Sequence, residues 1–273
     1  MKVQVLIMIP KKIHYCWFGD THLPNDVRKY IYTWRKFCPD YEIIEWNESN
    51  FDVNENAYCR EAYEAKKWAF VTDYVRLKVL YEYGGIYMDT DVEVCKNLDP
   101  LLKYAAVSGY ESKTSIPTGT MAACRGNEWI EMLLRDYDNR HFLNADGSYD
   151  LTTNVKVITK LTKEKYNLIL DGSEKQFGDN NILFPFDYFC AKLYHSGELA
   201  VTENTYTIHH FNGSWLTEAD IRQRNYKRDI VKKLSWIPVF LIRSKLATLA
   251  AMLKVGGWRR VIYQFKVKYC NDR

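Results

Sequence analysis

Two pairs of charged residues lie close together near the end of the first third of the chain, at spacings that chemistry can use. Asp89 and Asp91, within Ile86-Tyr-Met-Asp-Thr-Asp-Val92, are two residues apart, so on an extended segment both carboxylates leave from one face. Paired carboxylates at the end of an apolar strand suit a hard divalent cation, Mn2+ or Mg2+. Such an ion keeps its other positions for water and a substrate diphosphate. Asp73 and Arg76 are three residues apart in a helical stretch and are neighbours on one face. They form either a buried ion pair or the wall of a pocket, where a carboxylate accepts from sugar hydroxyls and a guanidinium holds a carboxylate or phosphate.

The elements that must position these groups follow from local pattern. Residues 13–18 read as a strand ending at Gly19, residues 24–37 as a helix stopped by Cys38-Pro39-Asp40, and residues 41–46 as a second strand. One long helix is expected from about Glu61 to Tyr83; it is apolar on nearly every side and therefore buried. Gly84-Gly85 closes it, and residues 86–94 alternate as a strand. This strand, helix, strand, helix, strand order predicts an α/β layered sheet. Further on, residues 128–137 and 153–162 read as helices, 141–150 as a loop or hairpin, and 206–211 as a short strand. Beyond Thr217 come basic amphipathic helices, broken near Pro238 and Gly256-Gly257.

Composition excludes several classes. The 273 residues are 47% hydrophobic and 26% charged, which argues against a disordered tail, a low-complexity fibre and a polytopic membrane protein. Charge is uneven: residues 222–273 carry +12 and residues 1–221 carry −8, so the net +4 hides an acidic body and a basic end. Domains are accordingly expected at 1–221 and 222–273. The basic part is made for an anionic partner, nucleic acid or lipid head groups. The seven cysteines are scattered with no Cys-x-x-Cys, which argues against a zinc ribbon or disulfide framework and for a reducing, cytosolic compartment. Val3–Ile9 is too short for a signal peptide's apolar region, and no apolar stretch is long enough to span a bilayer.

Taken together, the run Ala69-Phe-Val-Thr-Asp73-Tyr-Val-Arg76 and then Leu80-Tyr-Glu-Tyr-Gly-Gly-Ile-Tyr-Met-Asp89-Thr-Asp91 resembles the sugar-binding Asp-x-Asp region of glycosyltransferase family 32. That family includes bacterial capsular and lipopolysaccharide sugar transferases and relatives of yeast initiating α-mannosyltransferases, and the glucosylating bacterial toxins share the arrangement. Ile9–Gly19 is similar to the family's opening strand, and His209-His-Phe-Asn-Gly-Ser214-Trp215 to its C-terminal His…Ser-Trp segment. The resemblance covers residues 9–100 and 205–216; the basic end is outside it.

The resemblance implies a GT-A-type, Rossmann-like α/β/α sandwich, here with added C-terminal helices, and transfer with retention of anomeric configuration. It implies a UDP- or GDP-sugar donor whose base stacks on Trp17. Asp73 and Arg76 would hold the donor sugar, with Tyr87 within reach of it or in the core. Asp89 would contact ribose, sugar or metal, and Asp91 the metal. His210, Asn212, Ser214 and Trp215 would close over the diphosphate, His210 or Asn212 completing the metal shell. Metal, Arg76, Ser214 and Trp215 would stabilise the leaving group. No nucleophile stands out; Asn154, Asp150 and Asp179 are candidates, and front-face displacement needs none. The acceptor is expected to be a saccharide, lipid-linked, as in capsule, exopolysaccharide or lipopolysaccharide synthesis. The enzyme would sit peripherally on the inner face of the cytoplasmic membrane through its basic end, with no nucleic acid bound.

Two other classes compete. Ile-Tyr-Met-Asp-Thr-Asp-Val also fits the haloacid-dehalogenase phosphatase signature, but that fold wants its first Asp near the domain start and a downstream Asp pair, and no Asp-Asp occurs here. A non-enzymatic membrane or nucleic-acid adaptor would use Trp258–Tyr269, whose apolar side chains fit an interfacial helix better than a single-strand surface.

Overall fold

The computed structural model describes residues 8–19, 21–193, 196–213, 218–233 and 240–269. In chain order its elements are β1 (Lys12–Cys16), α1 (Asn25–Phe37), β2 (Glu42–Trp46), α2 (Ala57–Glu64), α3 (Trp68–Tyr83), β3 (Gly85–Met88), β4 (Val92–Val94), β5 (Ala106–Gly109), β6 (Thr120–Ala123), α4 (Glu128–Arg135), α5 (Asn154–Tyr166), β7 (Lys175–Phe177), β8 (Asn181–Phe184), β9 (Thr207–His209), α6 (Glu218–Lys233) and α7 (Phe240–Tyr269). Packing divides the chain into two units, Met1–Ala191 with Ala200–His210, and Lys192–Leu199 with Phe211–Arg273. The boundary expected from charge, at 221/222, falls inside α6, which lies wholly in the second unit.

In the first unit, seven of the described strands form one sheet in the order β2-β1-β3-β6-β5-β8-β7. Five strands run the same way, with β6 and β7 reversed. Period-two alternation sends successive side chains to opposite faces, and each face has its own core. Ile13, Tyr15, Ile86, Met88, Val107, Ile182 and Phe184 pack with Val27, Ile31 and Trp34 of α1. Tyr87, Met121, Ala123 and Leu183 pack on the other face with Val71, Val75, Val79 and Leu80 of α3 and with α4. The α/β layering expected from the sequence is therefore the architecture observed.

Two expected elements are each divided. The helix drawn from Glu61 to Tyr83 is two helices, α2 and α3, because the chain turns at Lys66, which takes φ +55°. Lys66 N–H donates to the Tyr63 carbonyl and Lys67 N–H to that of Ala62, the bonding pattern that ends a helix through a left-handed residue. The strand drawn over 86–94 is likewise β3 and β4, which belong to different sheets. Between them Val92 N–H donates to the Asp89 carbonyl (3.0 Å), closing a turn at Asp89–Val92. Asp89 and Asp91 therefore stand on a turn and not on one face of a strand.

The corner from α3 into β3 needs its two glycines. Gly84 and Gly85 have φ +63° and +117°, conformations that side chains rarely adopt. A Cβ on Gly84 would lie 2.7 Å from the Arg125 nitrogen, and one on Gly85 2.8 Å from His14 Nε2. His14 of β1 is fully buried beneath this corner. Its Nδ1 accepts from Trp46 Nε1 (3.1 Å), which puts the ring proton on Nε2, donated to the Gly84 carbonyl (2.7 Å). Burial pushes this imidazole down to about 4, against the pull of the Gly84 carbonyl.

The second unit contains α6 and α7, which pack on each other. α7 is kinked at Gly257, where φ is +59°; the expected break near Pro238 lies outside the described residues. Among the described residues no helix is long and apolar enough to cross a membrane.

Candidate active site

Five charged side chains alternate in sign through the first unit. Asp73 and Arg76 of α3 are joined at 3.1 Å, one turn apart on a buried face. The other side of the guanidinium meets Asp89 Oδ1 at 3.2 Å. His209 Nε2 lies 3.9 Å from Asp89 Oδ2 and 3.2 Å from Asp91 Oδ1. The order is Asp73, Arg76, Asp89, His209, Asp91.

Each position follows from its element. Tyr87 points from β3 toward α3, and Asp89, two residues on, follows it to meet Arg76. Tyr87 Oη donates to Asp89 Oδ1 (3.2 Å), and its ring lies under the guanidinium, 4.8 Å from centroid to Cζ. Arg76 also donates to the carbonyls of Thr118 (2.9 Å) and Thr72 (3.1 Å). Asn154, at the start of α5, donates to the Asp73 carbonyl (3.2 Å) and accepts from Tyr137 Oη (3.2 Å), so it ties α5 to α3. His209 reaches the turn because β9 pairs with β4, Val92 opposite His209.

Electrostatics match this arrangement. Burial pushes the Asp73 carboxyl up to about 6 although Arg76 pulls the other way. Burial disfavours the charged Arg76 as well, but Asp89, Tyr87 and Asp73 outweigh it and hold the guanidinium more firmly protonated than usual. For His209, too, burial opposes charge, and Asp91, Cys190 and Asp89 together raise it well above the ordinary histidine range.

Asp89, Asp91 and His209 each offer a ligand atom within 4.8 Å of one another. Two carboxylate oxygens and one imidazole nitrogen fit a Mn2+-type ion and leave positions for water or a diphosphate. The ring would bind as neutral imidazole, so a cation replaces the proton that Asp91 and Asp89 favour in its absence. Sequence reasoning did not single out His209. Its signals were its place at the head of the His…Ser-Trp segment and its partner across the β4–β9 ladder, and only the second, which requires knowing that the two strands pair, separates it from His210.

The remaining expected residues are placed as follows. His210 is adjacent to His209, but its Nε2 contacts Glu93 (2.8 Å) and its ring stacks on Tyr30 (4.8 Å between centroids). The structure therefore does not bring it to the Asp89–Asp91 group. Asn212 lies in the second unit, where its carbonyl accepts from Arg224 (2.8 Å). Ser214 and Trp215 lie outside the described residues. Trp17 is half-buried, and its indole N–H donates to the Thr21 carbonyl (2.7 Å). Of the candidate nucleophiles, Asp150 is bound to Arg140 (2.9 Å), Asn154 is held between α5 and α3, and Asp179 is exposed in a turn.

Comparison with known proteins bears on four of the five charged residues. Residues 24–108 match the model of the glycosyltransferase sugar-binding region containing the DXD motif, which spans Asp73, Arg76, Asp89 and Asp91. Over 146 residues the chain is 30% identical to inositol phosphoceramide mannosyltransferase 3 of Schizosaccharomyces pombe, covering 49% of this chain and 40% of that protein. Over 147 residues it is 28% identical to mannosyl phosphorylinositol ceramide synthase SUR1 of Saccharomyces cerevisiae, covering 50% and 37%. A third similarity is to subversion of eukaryotic traffic protein A of Legionella pneumophila, 28% over 111 residues, covering 31% and 17%. The chain spans less than half the length of these relatives. Solved structures similar to it include the PaToxG glycosyltransferase (20% identity, 58% of this chain and 70% of that one, TM-score 0.44). Another is the galactosyltransferase LgtC with donor and acceptor sugar analogues (11% identity, 74% and 88%, TM-score 0.39). The resemblance read from the motifs is borne out for the region that carries them: residues 24–108 match the DXD-containing sugar-binding region of glycosyltransferases.

Proposed function

We propose that the chain is a glycosyltransferase that moves a hexose from a nucleotide-diphosphate sugar to a saccharide acceptor, using Mn2+ or Mg2+ held by Asp89, Asp91 and His209. The observation that carries this is the juxtaposition of that ligand group with the Asp73–Arg76 pair. One half of the site suits a cation and a diphosphate, the other a sugar. When bound, the cation would neutralise the negative charge that grows on the departing nucleoside diphosphate.

The chain's own groups do the rest. Arg76 is fixed by two carbonyls and two carboxylates, so it provides oriented positive charge with little reorganisation. The Asp73 carboxylate accepts from donor-sugar hydroxyls, and Tyr87 holds Asp89 in register. Trp17, half-buried, offers ring surface for the base. With Asp150 and Asn154 committed to other partners, retention by front-face displacement is the reading we favour. Two of the relatives carry names of mannosyl transfer to inositol phosphoceramide, which supports a lipid-linked acceptor. The +12 charge of residues 222–273 supports peripheral attachment to an anionic, cytoplasmic membrane face, as in bacterial polysaccharide assembly.

The test is turnover of a panel of UDP- and GDP-sugars by the purified chain with Mn2+, with EDTA, and with Asp91→Asn. Release of nucleoside diphosphate that needs Mn2+ and is lost in the variant is the expected result. Turnover indifferent to both EDTA and Asp91→Asn would sink the metal role, and no turnover of any nucleotide sugar would sink the transferase reading.

A further inference from the structure

The segment Thr118-Gly119, just before β6, touches three members of the site at once. The Thr118 carbonyl accepts from Arg76 Nη1 (2.9 Å), and the Gly119 carbonyl accepts from the Asp89 N–H (2.9 Å). On its other side Gly119 carries no Cβ, and that space is occupied by His209. A Cβ built there would lie 2.6 Å from Nδ1, 2.8 Å from Cε1 and 3.1 Å from Cγ of the His209 ring. The three nearest heavy atoms all belong to this one imidazole.

The glycine is not explained by its backbone. Gly84 and Gly85 take positive φ, which side chains resist; Gly119 does not. An alanine backbone fits at 119, and what it lacks is room beside His209. The ring cannot retreat cheaply, since it is only 14% exposed and held at 3.2 Å from Asp91, on the residue paired with Val92.

We propose that Gly119 is a positioning residue: its missing side chain is the slot that sets His209 against Asp89 and Asp91, and so fixes the geometry of the cation site. This rests on the functional reading above in taking the occupant to be a divalent cation. The part that concerns Gly119 and His209 alone does not depend on it. Loss of outer support around a metal ligand typically weakens affinity about 10- to 100-fold, and this is the effect expected of a methyl group at 119.

A double-mutant cycle on the full chain tests it, using Gly119→Ala, His209→Ala and the pair, with calorimetric binding of Mn2+ alone and the thermal midpoint as readouts. Gly119→Ala is expected to lower Mn2+ affinity about 10- to 100-fold and to lower the midpoint. In the His209→Ala background the same change should alter neither, because the atoms it meets are gone. If Gly119→Ala does not fold but the double variant does, the proposal stands on that rescue. Equal loss of midpoint in both backgrounds, a double variant that also fails to fold, or wild-type Mn2+ affinity in Gly119→Ala would overturn it. Wild-type protein that binds no Mn2+ would remove the cation reading, and the midpoint cycle would still decide whether Gly119 positions His209.

Discussion

His209 and His210 are consecutive residues, yet they belong to opposite kinds of site. His209, 14% exposed, lies on one face of the β4–β9 ladder between two carboxylates, fourth in a file of five charges that runs back to Asp73. His210, 16% exposed, pairs with Glu93, itself 38% exposed, and stacks on Tyr30. The first arrangement links five charges in a row whose Asp73–Arg76 end is buried; the second is a single partly buried pair whose carboxylate is within reach of solvent. A buried file is costly to break at any link, because each loss leaves another charge uncompensated, whereas an exposed pair costs little to remove. His209 is the last residue of β9 and His210 follows it, and their side chains leave toward different partners.

Breaking the buried file in its middle should have the largest effect. Arg76→Met leaves both Asp73 and Asp89 without their cation and is expected to destabilise the fold by about 3–5 kcal/mol in denaturant titration. A loss below about 1 kcal/mol would mean that the file behaves as surface charge. Next comes its end. Asp91→Asn keeps the shape but removes the charge beside His209, so Mn2+ affinity measured by calorimetry should fall at least about 10- to 100-fold. An unchanged affinity would place the cation elsewhere. Smallest is the other face. Glu93→Gln should cost at most about 1 kcal/mol, screened by salt, and leave Mn2+ binding unaltered. A large effect on binding there would erase the distinction between the two histidines.

Much of this was legible in the sequence where a residue type has one physical use. Gly84-Gly85 marked the end of α3 because no other residue takes those φ values easily, and the Asp73-x-x-Arg76 spacing placed two charges on one helical face. The α/β layering followed from the order of elements. What escaped notice depended on partners distant in sequence. The break at Lys66 carries no glycine or proline to announce it; a lysine takes the left-handed position there and the cap bonds stabilise it. The strands β5, β6 and β8 are short and buried on both faces, so they lack the alternation that identifies a half-buried strand. The sequence pattern makes Asp89 and Asp91 strand neighbours, although a turn brings them together. The choice of His209 over His210 needed the β4–β9 register, and Gly119 needed the ring that fills its missing side chain.

The buried imidazole under the Gly84-Gly85 corner has a consequence for how folding responds to acid. His14 has its affinity for a proton lowered from 6.5 to about 4, so between those values the unfolded chain takes up a proton that the folded chain refuses. On its own this makes stability fall as pH drops through that window. Asp73 does the reverse. Its carboxyl is raised from 3.8 to about 6, so across that window the folded chain holds a proton that the unfolded chain releases, and stability rises as pH drops. Over the shared span, about pH 4 to 6, the two contributions oppose each other, one proton against one. Taken by themselves, these two groups on different elements offset each other in mild acid, although neither is insensitive alone. Asp73→Asn, neutral at every pH, should unmask His14. Relative to wild type, the variant should lose stability with acidification at close to one proton's slope, about 1.4 kcal/mol per pH unit. His14→Gln should tilt the profile the other way.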